Sequence, residues 1–284
     1  HTEGLGDLEG VVQEKTSLWQ ALGSAGVAVG NADDPGVAAA LAGLQGRRRL
    51  RFGCADGADV RLTNVRLGRG GGHLSLQLGG DLAPVDVALC LLGEAAALDC
   101  AAAVACLLAL PGDDVARRLA KATTAMSTLR PVPGRMAGQP WGASGFVIDD
   151  TYNANPSSMR MSLDALVRIA SDSSASAVAV LGDMGELASP EQEHRAIGTL
   201  CVQLGVDLLV GVGEHMVHAT RAAAGAAGGR LAAHPTRVIH LRDASAAAES
   251  VLRLAPPEAT VLVKGSRSMA MERVVHALLC GASP

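Results

Sequence analysis

Short apolar runs alternate with longer segments of helical spacing throughout the second half of the chain. The apolar runs predict strands at 145–149, 177–182, 207–213, 238–241 and 260–265. The segments between and after them predict helices at 157–170, 190–204, 214–225, 243–254 and 269–279. Strands that are apolar along their whole length are typical of parallel sheets covered on both faces. This half is therefore predicted to be an α/β domain whose ligands bind beyond the carboxyl ends of the strands.

The first half of the chain combines helical spacing with a period of two. Helices are predicted at 9–22, 35–44, 94–109 and 113–123, and a short strand at 26–30. Asp34 and Pro35 mark the start of one of these helices. Between 48 and 89 the alternation predicts a small set of antiparallel strands. Two prolines and a glycine at 129–134 then predict a domain boundary.

Composition narrows the class of protein. Of the 284 residues, 49% are hydrophobic and 18% charged, which excludes a disordered chain. The net charge of −4 gives no basic surface field, so we expect no nucleic-acid binding. The six cysteines form no C-x-x-C pair, which indicates buried, reduced thiols and a cytoplasmic location. The longest apolar run without a charged residue, 100–110, is about half as long as a membrane-spanning helix, so we expect no membrane insertion.

Polar residues gather directly after three of the predicted strands, as DDTYNANPSS at 149–158, GDMGEL at 182–187 and KGSRS at 264–268. The first group has the amides and carboxylates to bind sugar hydroxyls, or it is a turn and helix cap begun by Pro156 or Ser157. Asp183 and Glu186 could hold a metal, an amine or a nearby loop. The cations of the third group could bind a carboxylate or phosphate, the alternative being a solvated loop.

Two further signals are weak. Gly211 and Gly213 resemble a dinucleotide-binding turn, but Met216 stands where the third glycine belongs. His215 and His218 have the spacing of a metal pair without an evident third ligand, so a solvated helix face is the favoured interpretation.

Six segments together resemble the Mur ligases of cell-wall synthesis, in that family's order and spacing. They are HTEGLGDLEGVVQEK, GNADDP, PGRM, DDTYNANP, VLGDMGEL and VLVKGSRSMAMERVV. The resemblance covers essentially the whole chain. It implies the C-terminal portion of a central ATPase domain at 1–133 and a Rossmann-like, parallel-sheet C-terminal domain at 134–284. The family's phosphate loop lies upstream of the position of His1, so we expect the chain to begin within a longer protein and to be inactive alone.

The resemblance also implies a reaction. ATP phosphorylates the terminal carboxylate of UDP-N-acetylmuramoyl-tripeptide, the amine of D-alanyl-D-alanine attacks the acyl phosphate, and phosphate leaves. Such a reaction needs Mg²⁺ and cationic side chains to neutralise the phosphates, together with alignment of the amine. We expect the protein to be a monomer.

Site residues follow from the same resemblance. His1 matches a histidine near the second magnesium, and Lys15 matches a lysine whose carbamylation creates an anion that helps to hold Mg²⁺. Arg135 matches the arginine that contacts the ATP phosphates, and Asp150 matches the acid that binds the ribose. The remaining matches are a nucleotide contact at Asn153 and acceptor-side contacts at Asn155, Lys264, Ser266 and Arg267.

One segment departs from the family pattern. Where the family has G-R-H-N-x-x-N beside adenine, residues 93–99 read GEAAALD, so Asp99 replaces the last asparagine as the candidate ATP contact. A carboxylate accepts hydrogen bonds but cannot donate them as an amide does. This change keeps open a degenerate, non-catalytic binding module. A second alternative is a related ligase, either another Mur enzyme or a folylpolyglutamate synthetase type, although DTYNANP and LGDMGEL argue against it.

Overall fold

A computed structural model describes residues 8–227 and 235–281 of the chain. The chain divides into two compact units. The first comprises His1–Arg66, Gly71–Cys90 and Glu94–Arg130, and the second comprises Leu67–Gly70, Leu91–Gly93 and Pro131–Pro284. The α/β class predicted from the sequence is confirmed, because each unit contains one sheet and several helices.

The sheet of the first unit has its five strands side by side in chain order. The strands are β1 (Val27–Asn31), β2 (Arg48–Gly53), β3 (Val60–Gly68), β4 (Gly71–Leu78) and β5 (Val85–Leu89). Strands β4 and β5 are antiparallel, but β1 pairs with β2 and β2 with β3 in parallel. The expectation of an antiparallel set over 48–89 was therefore wrong for β2 and β3. A period of two identifies a strand but carries no information about the direction of its neighbour.

The described residues of the first unit form four α-helices. They are α1 (Leu8–Thr16, continued by a 3₁₀ turn at Ser17–Ala21), α2 (Pro35–Gly43), α3 (Glu94–Ala109) and α4 (Val115–Met126). Helix α2 starts where the sequence predicts, because Asp34 Oδ1 accepts a hydrogen bond from Val37 N at 2.9 Å. Helix α3 packs on β1, β2 and β4 through small buried residues such as Ala97 and Ala101. In the described part of the chain, no helix has the length and apolar character needed to cross a membrane.

The second unit contains a six-stranded sheet in the order β10-β9-β8-β11-β7-β6. Its strands are β6 (Ala137–Trp141), β7 (Gly145–Asp150), β8 (Ala177–Gly182), β9 (Leu208–Val212), β10 (Arg237–Leu241) and β11 (Thr260–Lys264). All neighbours are parallel except β6 and β7. Every residue of β7, β8, β9 and β11 is buried, as expected of central strands with both faces covered. The sequence did not reveal β6, whose Pro140 is tolerated only because the strand lies at the sheet edge.

Where this unit is described, at 131–227 and 235–281, it has five α-helices, each within a few residues of its predicted position. They are α5 (Pro156–Asp172), α6 (Pro190–Leu204), α7 (Met216–Ala227), α8 (Ser245–Leu254) and α9 (Glu272–Gly281). With aromatic residues at only 2% of the chain, the core consists mainly of Val, Leu, Ile, Ala and Met. Small side chains allow the backbones to approach closely, and this determines how the helices pack.

The cysteines correct one expectation. None of the six forms a disulfide, but only Cys100 and Cys201 are buried, while the other four are exposed. Burial raises the pKa of Cys100 to about 11 and that of Cys201 to about 12, so both remain protonated thiols. An apolar run wraps around a whole helix, so one of its cysteines can face solvent, as Cys106 does on α3.

Helices α6 and α7 touch backbone to backbone at Gly198. A Cβ atom at this position would lie 1.9 Å from the carbonyl oxygen of Ala219. Because the obstacle is backbone rather than a flexible side chain, the two helices would have to separate to admit even one methyl group.

We predict that Gly198→Ala lowers the free energy of unfolding by about 1–3 kcal/mol, since overpacking outweighs the gain in helix propensity. Gly225→Ala on α7 is the matched control, because nothing lies within 4 Å of its added Cβ. The control is expected to raise stability by up to about 1 kcal/mol. Chemical denaturation followed by circular dichroism measures both, and equal effects would contradict the close helix contact.

Candidate functional site

Strands β7 and β11 end side by side and bring two opposite charges together. Lys264 at the end of β11 lies opposite Asp150 at the end of β7. The Lys264 ammonium is 2.6 Å from Asp150 Oδ2 and donates a second hydrogen bond to the backbone oxygen of Asn153 at 2.9 Å. Lys264 is 2% exposed and Asp150 is 8% exposed. The ion pair is therefore buried, and it ties the loop after β7 to the neighbouring strand.

Asp149 and Asp150 also accept hydrogen bonds from the backbone on either side of Arg135. Asp150 Oδ1 accepts from Met136 N at 3.2 Å, and Asp149 Oδ2 accepts from Gly134 N at 3.1 Å. Asp150 also accepts from the hydroxyl of Ser162 at 2.6 Å, and Asp149 from the hydroxyl of Thr151 at 2.6 Å. The two adjacent carboxylates thus fix the backbone of the segment that carries Arg135.

Arg135 itself is exposed. Its guanidinium carbon lies 4.0 Å from the centroid of the Tyr152 ring. The backbone N–H of Tyr152 donates to the oxygen of Gly134 at 2.9 Å, which keeps the two loops in register. An exposed guanidinium on a fixed backbone can bind a phosphate or a carboxylate through paired N–H donors.

The two asparagines of the DDTYNANP segment make local contacts. Asn153 Oδ1 accepts from Ala154 N at 2.8 Å. Asn155 is the N-cap of α5, where its Oδ1 accepts from Ser158 N at 2.8 Å and its backbone N–H donates to Ser158 Oγ. The turn-and-cap interpretation is therefore correct for Asn155, and α5 begins at Pro156.

The GDMGEL loop after β8 is held by the start of α7. The Asp183 carboxylate accepts from His215 N at 3.1 Å and from Met216 N at 2.8 Å. Gly213 has a φ of +114°, and a Cβ there would lie 2.6 Å from that carboxylate. Of the uses suggested by the sequence, Asp183 therefore holds a nearby loop. Among the described residues there is no cluster of three or more His, Cys, Asp or Glu side chains that could hold a metal.

His194 also holds the loop after β8, a role that the sequence did not predict. Its side chain is fully buried, Nε2 lies 3.0 Å from Met184 N, and Nδ1 lies 2.7 Å from the oxygen of Pro190. Since Nε2 must accept from the backbone N–H, the ring is neutral with its proton on Nδ1. Burial lowers the pKa of His194 below its ordinary value of 6.5. A lone histidine in a helix gives no sequence signal of this role.

The KGSRS segment after β11 divides into buried and exposed parts. Ser266 is buried, and its backbone N–H donates to the oxygen of Asp183 at 2.9 Å, which joins this loop to the one after β8. Its hydroxyl lies 3.1 Å from that of Ser268. Arg267 is exposed and lies 3.3 Å from Glu272. Only the arginine of this segment presents its charge to solvent, whereas Lys264 does not.

The other predicted site residues lie in the first unit. Lys15 is an exposed residue in the last turn of α1. Asp99 is an exposed residue of α3, and the protein around its carboxyl group raises its pKa by partly removing it from water. His1 lies outside the described residues.

Comparison with protein families decides the class. Residues 1–107 match the Mur ligase middle domain, and residues 134–267 match the Mur ligase glutamate ligase domain. The chain belongs to the Mur ligase family.

Individual relatives narrow the resemblance within the Mur ligases. The chain is 32% identical over 280 residues to the UDP-N-acetylmuramoyl-tripeptide–D-alanyl-D-alanine ligase of Escherichia coli, covering 98% of this chain and 57% of that protein. It is 34% identical over 298 residues to the ligase of the same name from Mycobacterium tuberculosis, covering 99% and 57%. The crystal structure of MurF from Acinetobacter baumannii matches with a TM-score of 0.80 at 26% identity, covering 97% and 56%.

The chain thus spans a little over half the length of the relatives it matches. The predicted family and fold class are confirmed. The roles of the individual residues in this Mur ligase chain stay predictions, and the contacts above determine which of those roles each residue could fill.

The buried ion pair can be tested directly. We predict that Lys264→Met lowers the free energy of unfolding by about 3 kcal/mol, because it leaves the Asp150 carboxylate buried without its cation. Arg267→Met, three residues away and in an exposed pair, is expected to change it by less than about 1 kcal/mol. The double variant Lys264→Met with Asp150→Asn should be more stable than the sum of the two single losses, as measured by chemical denaturation. Strict additivity would rule out the coupling.

Protonation of His194 makes the free energy of unfolding depend on pH. Its pKa is lowered in the folded state, so the unfolded chain binds more protons below about pH 6.5 and stability falls as the pH decreases. We predict that His194→Gln removes up to about 1.4 kcal/mol of this loss per pH unit. The exposed His276→Gln variant serves as the control and should retain the slope. Parallel stability curves for wild type and His194→Gln between pH 7 and pH 5 would show the prediction to be wrong.

Proposed function

We propose that a protein carrying this chain is an ATP-dependent ligase that joins D-alanyl-D-alanine to UDP-N-acetylmuramoyl-tripeptide. The observation that carries the proposal is the similarity, over 98% of the chain, to relatives named for this reaction. The geometry supports it, since Arg135 carries an exposed guanidinium on a fixed backbone among polar strand ends. A reaction through an acyl phosphate needs such a cation near the transferred phosphoryl group.

The nucleotide side of the proposed site centres on Arg135. Its guanidinium would bind the phosphates of ATP, because it combines a permanent charge with several N–H donors. We assign Asp150 a supporting part in holding Met136 and Lys264, since its oxygens already accept three hydrogen bonds within the protein. Any contact of Asp150 with the ribose would use the remaining lone pairs of these oxygens. Asn153 and Asp99 remain proposed nucleotide contacts.

The acceptor side is proposed to lie beyond β11 and the start of α5. Arg267 has an exposed guanidinium suited to a peptide carboxylate. Asn155 and Ser266 hold the nearby backbone in place through their hydrogen bonds to Ser158 and Asp183. Lys264 acts indirectly in this proposal, because its ammonium is buried against Asp150 and Asn153. In the reaction, the acceptor amine attacks the carbonyl carbon of the acyl phosphate and the C–N bond forms. The C–O bond to phosphate breaks, phosphate leaves, and the amine nitrogen releases a proton to water.

The family resemblance implies Mg²⁺, which when bound would neutralise charge on the phosphates. His1 and Lys15 stay its proposed ligands, the latter after its amine adds CO₂ and releases a proton to give a carbamate. The exposure of Lys15 is compatible with this modification.

We further propose that residues 1–133 belong to the central ATPase domain and 134–284 to the C-terminal domain. The six unpaired cysteines support a cytoplasmic location. Monomeric assembly stays a prediction from the sequence.

The decisive experiment measures phosphate release by a protein that carries these 284 residues together with the family's phosphate loop and UDP-substrate domain. We predict release that requires ATP, UDP-N-acetylmuramoyl-tripeptide and D-alanyl-D-alanine together. Arg135→Gln is expected to lower kcat/KM by about a hundredfold, the loss typical when one charge-stabilising group is removed. Arg253→Gln, an exposed residue in the last turn of α8, is the control and should leave the rate unchanged.

Other outcomes would identify the alternatives. Preference for glutamate or diaminopimelate over D-alanyl-D-alanine would indicate a related ligase. Failure to bind ATP in a titration of the same protein would indicate a non-catalytic binding module. The 284-residue chain assayed alone is expected to show no turnover, because it contains no G-x-x-x-x-G-K-[ST] sequence.

A further inference from the structure

Tyr152 is an aromatic residue whose place in the fold is not explained by core packing. The chain has one tyrosine, and its aromatic content is 2%. Tyr152 is 50% exposed, so it contributes little buried area to the second unit. Its ring lies instead against the guanidinium of Arg135, with 4.0 Å from the guanidinium carbon to the ring centroid.

The backbone of Arg135 is fixed, but its side chain has rotatable bonds that backbone hydrogen bonds do not restrain. Asp149 and Asp150 hold Gly134 and Met136, the residues on either side. Beyond the backbone, the contact seen on the guanidinium within the described part of the chain is the face of Tyr152. Ordering a free arginine side chain on binding costs conformational entropy, and a preformed contact removes part of that cost.

A ring is a better partner than a carboxylate for an arginine that must bind an anion. A carboxylate would neutralise the charge and occupy the N–H donors in the guanidinium plane. An aromatic ring contacts the face of the guanidinium and leaves all five N–H donors available. The pairing in this structure therefore orders Arg135 without using the groups that a phosphate would need.

We propose that Tyr152 is a positioning residue that holds the guanidinium of Arg135 ready for a phosphate group of the nucleotide. This inference rests on the proposed function for the identity of the phosphate. The backbone hydrogen bond from Tyr152 N to Gly134 O keeps ring and guanidinium in register. The same hydrogen bond explains why an aromatic residue two positions after Asp150 can serve an arginine on a different loop.

The single tyrosine allows a direct test on the 284-residue chain. With tyrosine labelled in its ring with carbon-13, NMR reports one set of ring signals from Tyr152. We expect Arg135→Met to shift these signals and the control Arg253→Met to leave them in place. Tripolyphosphate should shift them in wild type and not in Arg135→Met. Ring signals of Tyr152 that are unchanged in Arg135→Met would overturn the proposal.

Kinetics of the longer protein described above give a second test. Tyr152→Leu is expected to lower kcat/KM for ATP about two- to fivefold, the range for an exposed cation–π contact. Tyr152→Phe keeps the ring and should restore most of that loss. In an Arg135→Met background, Tyr152→Leu should have no further effect, whereas additive losses would show that Tyr152 does not act through Arg135.

The two tests separate this inference from the proposed function. Absence of ligase turnover in the wild-type protein would overturn the proposed function and leave the NMR and tripolyphosphate results to decide on Tyr152. Normal turnover combined with ring signals independent of Arg135 would overturn the inference alone. Circular dichroism of each variant establishes that it is folded before either comparison is made.

Discussion

The buried pair of Asp150 and Lys264 is the constraint on which the strand-end site depends. Removing two charges from water is costly unless each finds partners, so both side chains recruit neighbouring groups. The Lys264 ammonium donates a hydrogen bond to the backbone oxygen of Asn153. The Asp150 carboxylate accepts hydrogen bonds from the Ser162 hydroxyl and from the backbone N–H of Met136. Because the buried charges need these partners, the ends of β7 and β11 are held to each other and to the loops that follow them.

The charged residues at the strand ends fall into two groups, carboxylates bonded within the protein and arginines exposed to solvent. Carboxylates at the end of β7 and the carboxylate of Asp183 after β8 accept backbone N–H groups and so act inside the protein. Arg135 and Arg267 present their guanidinium groups to solvent. An anion that bound at Arg135 would meet a cation whose backbone is already fixed, which lowers the entropic cost of binding. The aromatic contact on Arg135 extends the same principle from backbone to side chain.

Some local features could be predicted from neighbouring residues alone, and others could not. Asp34 with Pro35 and Asn155 with Pro156 begin helices as their chemistry indicates, because a cap acts over three residues. The direction of β2 and the existence of β6 were missed. Strand pairing depends on distant residues, and the sequence Ala-Gly-Gln-Pro-Trp has neither the alternation nor the composition of a typical strand.

The sequence by itself determined the family, the α/β class and the segments where polar groups follow apolar strands, since all of these are carried by local pattern and motif. Tertiary structure decided what those polar groups do. Strand β11, late in the chain, inserts between β8 and β7, and this placement sets Lys264 against Asp150 and Ser266 beside Asp183. It also buries His194 beneath the loop after β8. These contacts join residues far apart in the chain, and their energy depends on burial, which no local pattern of residues specifies.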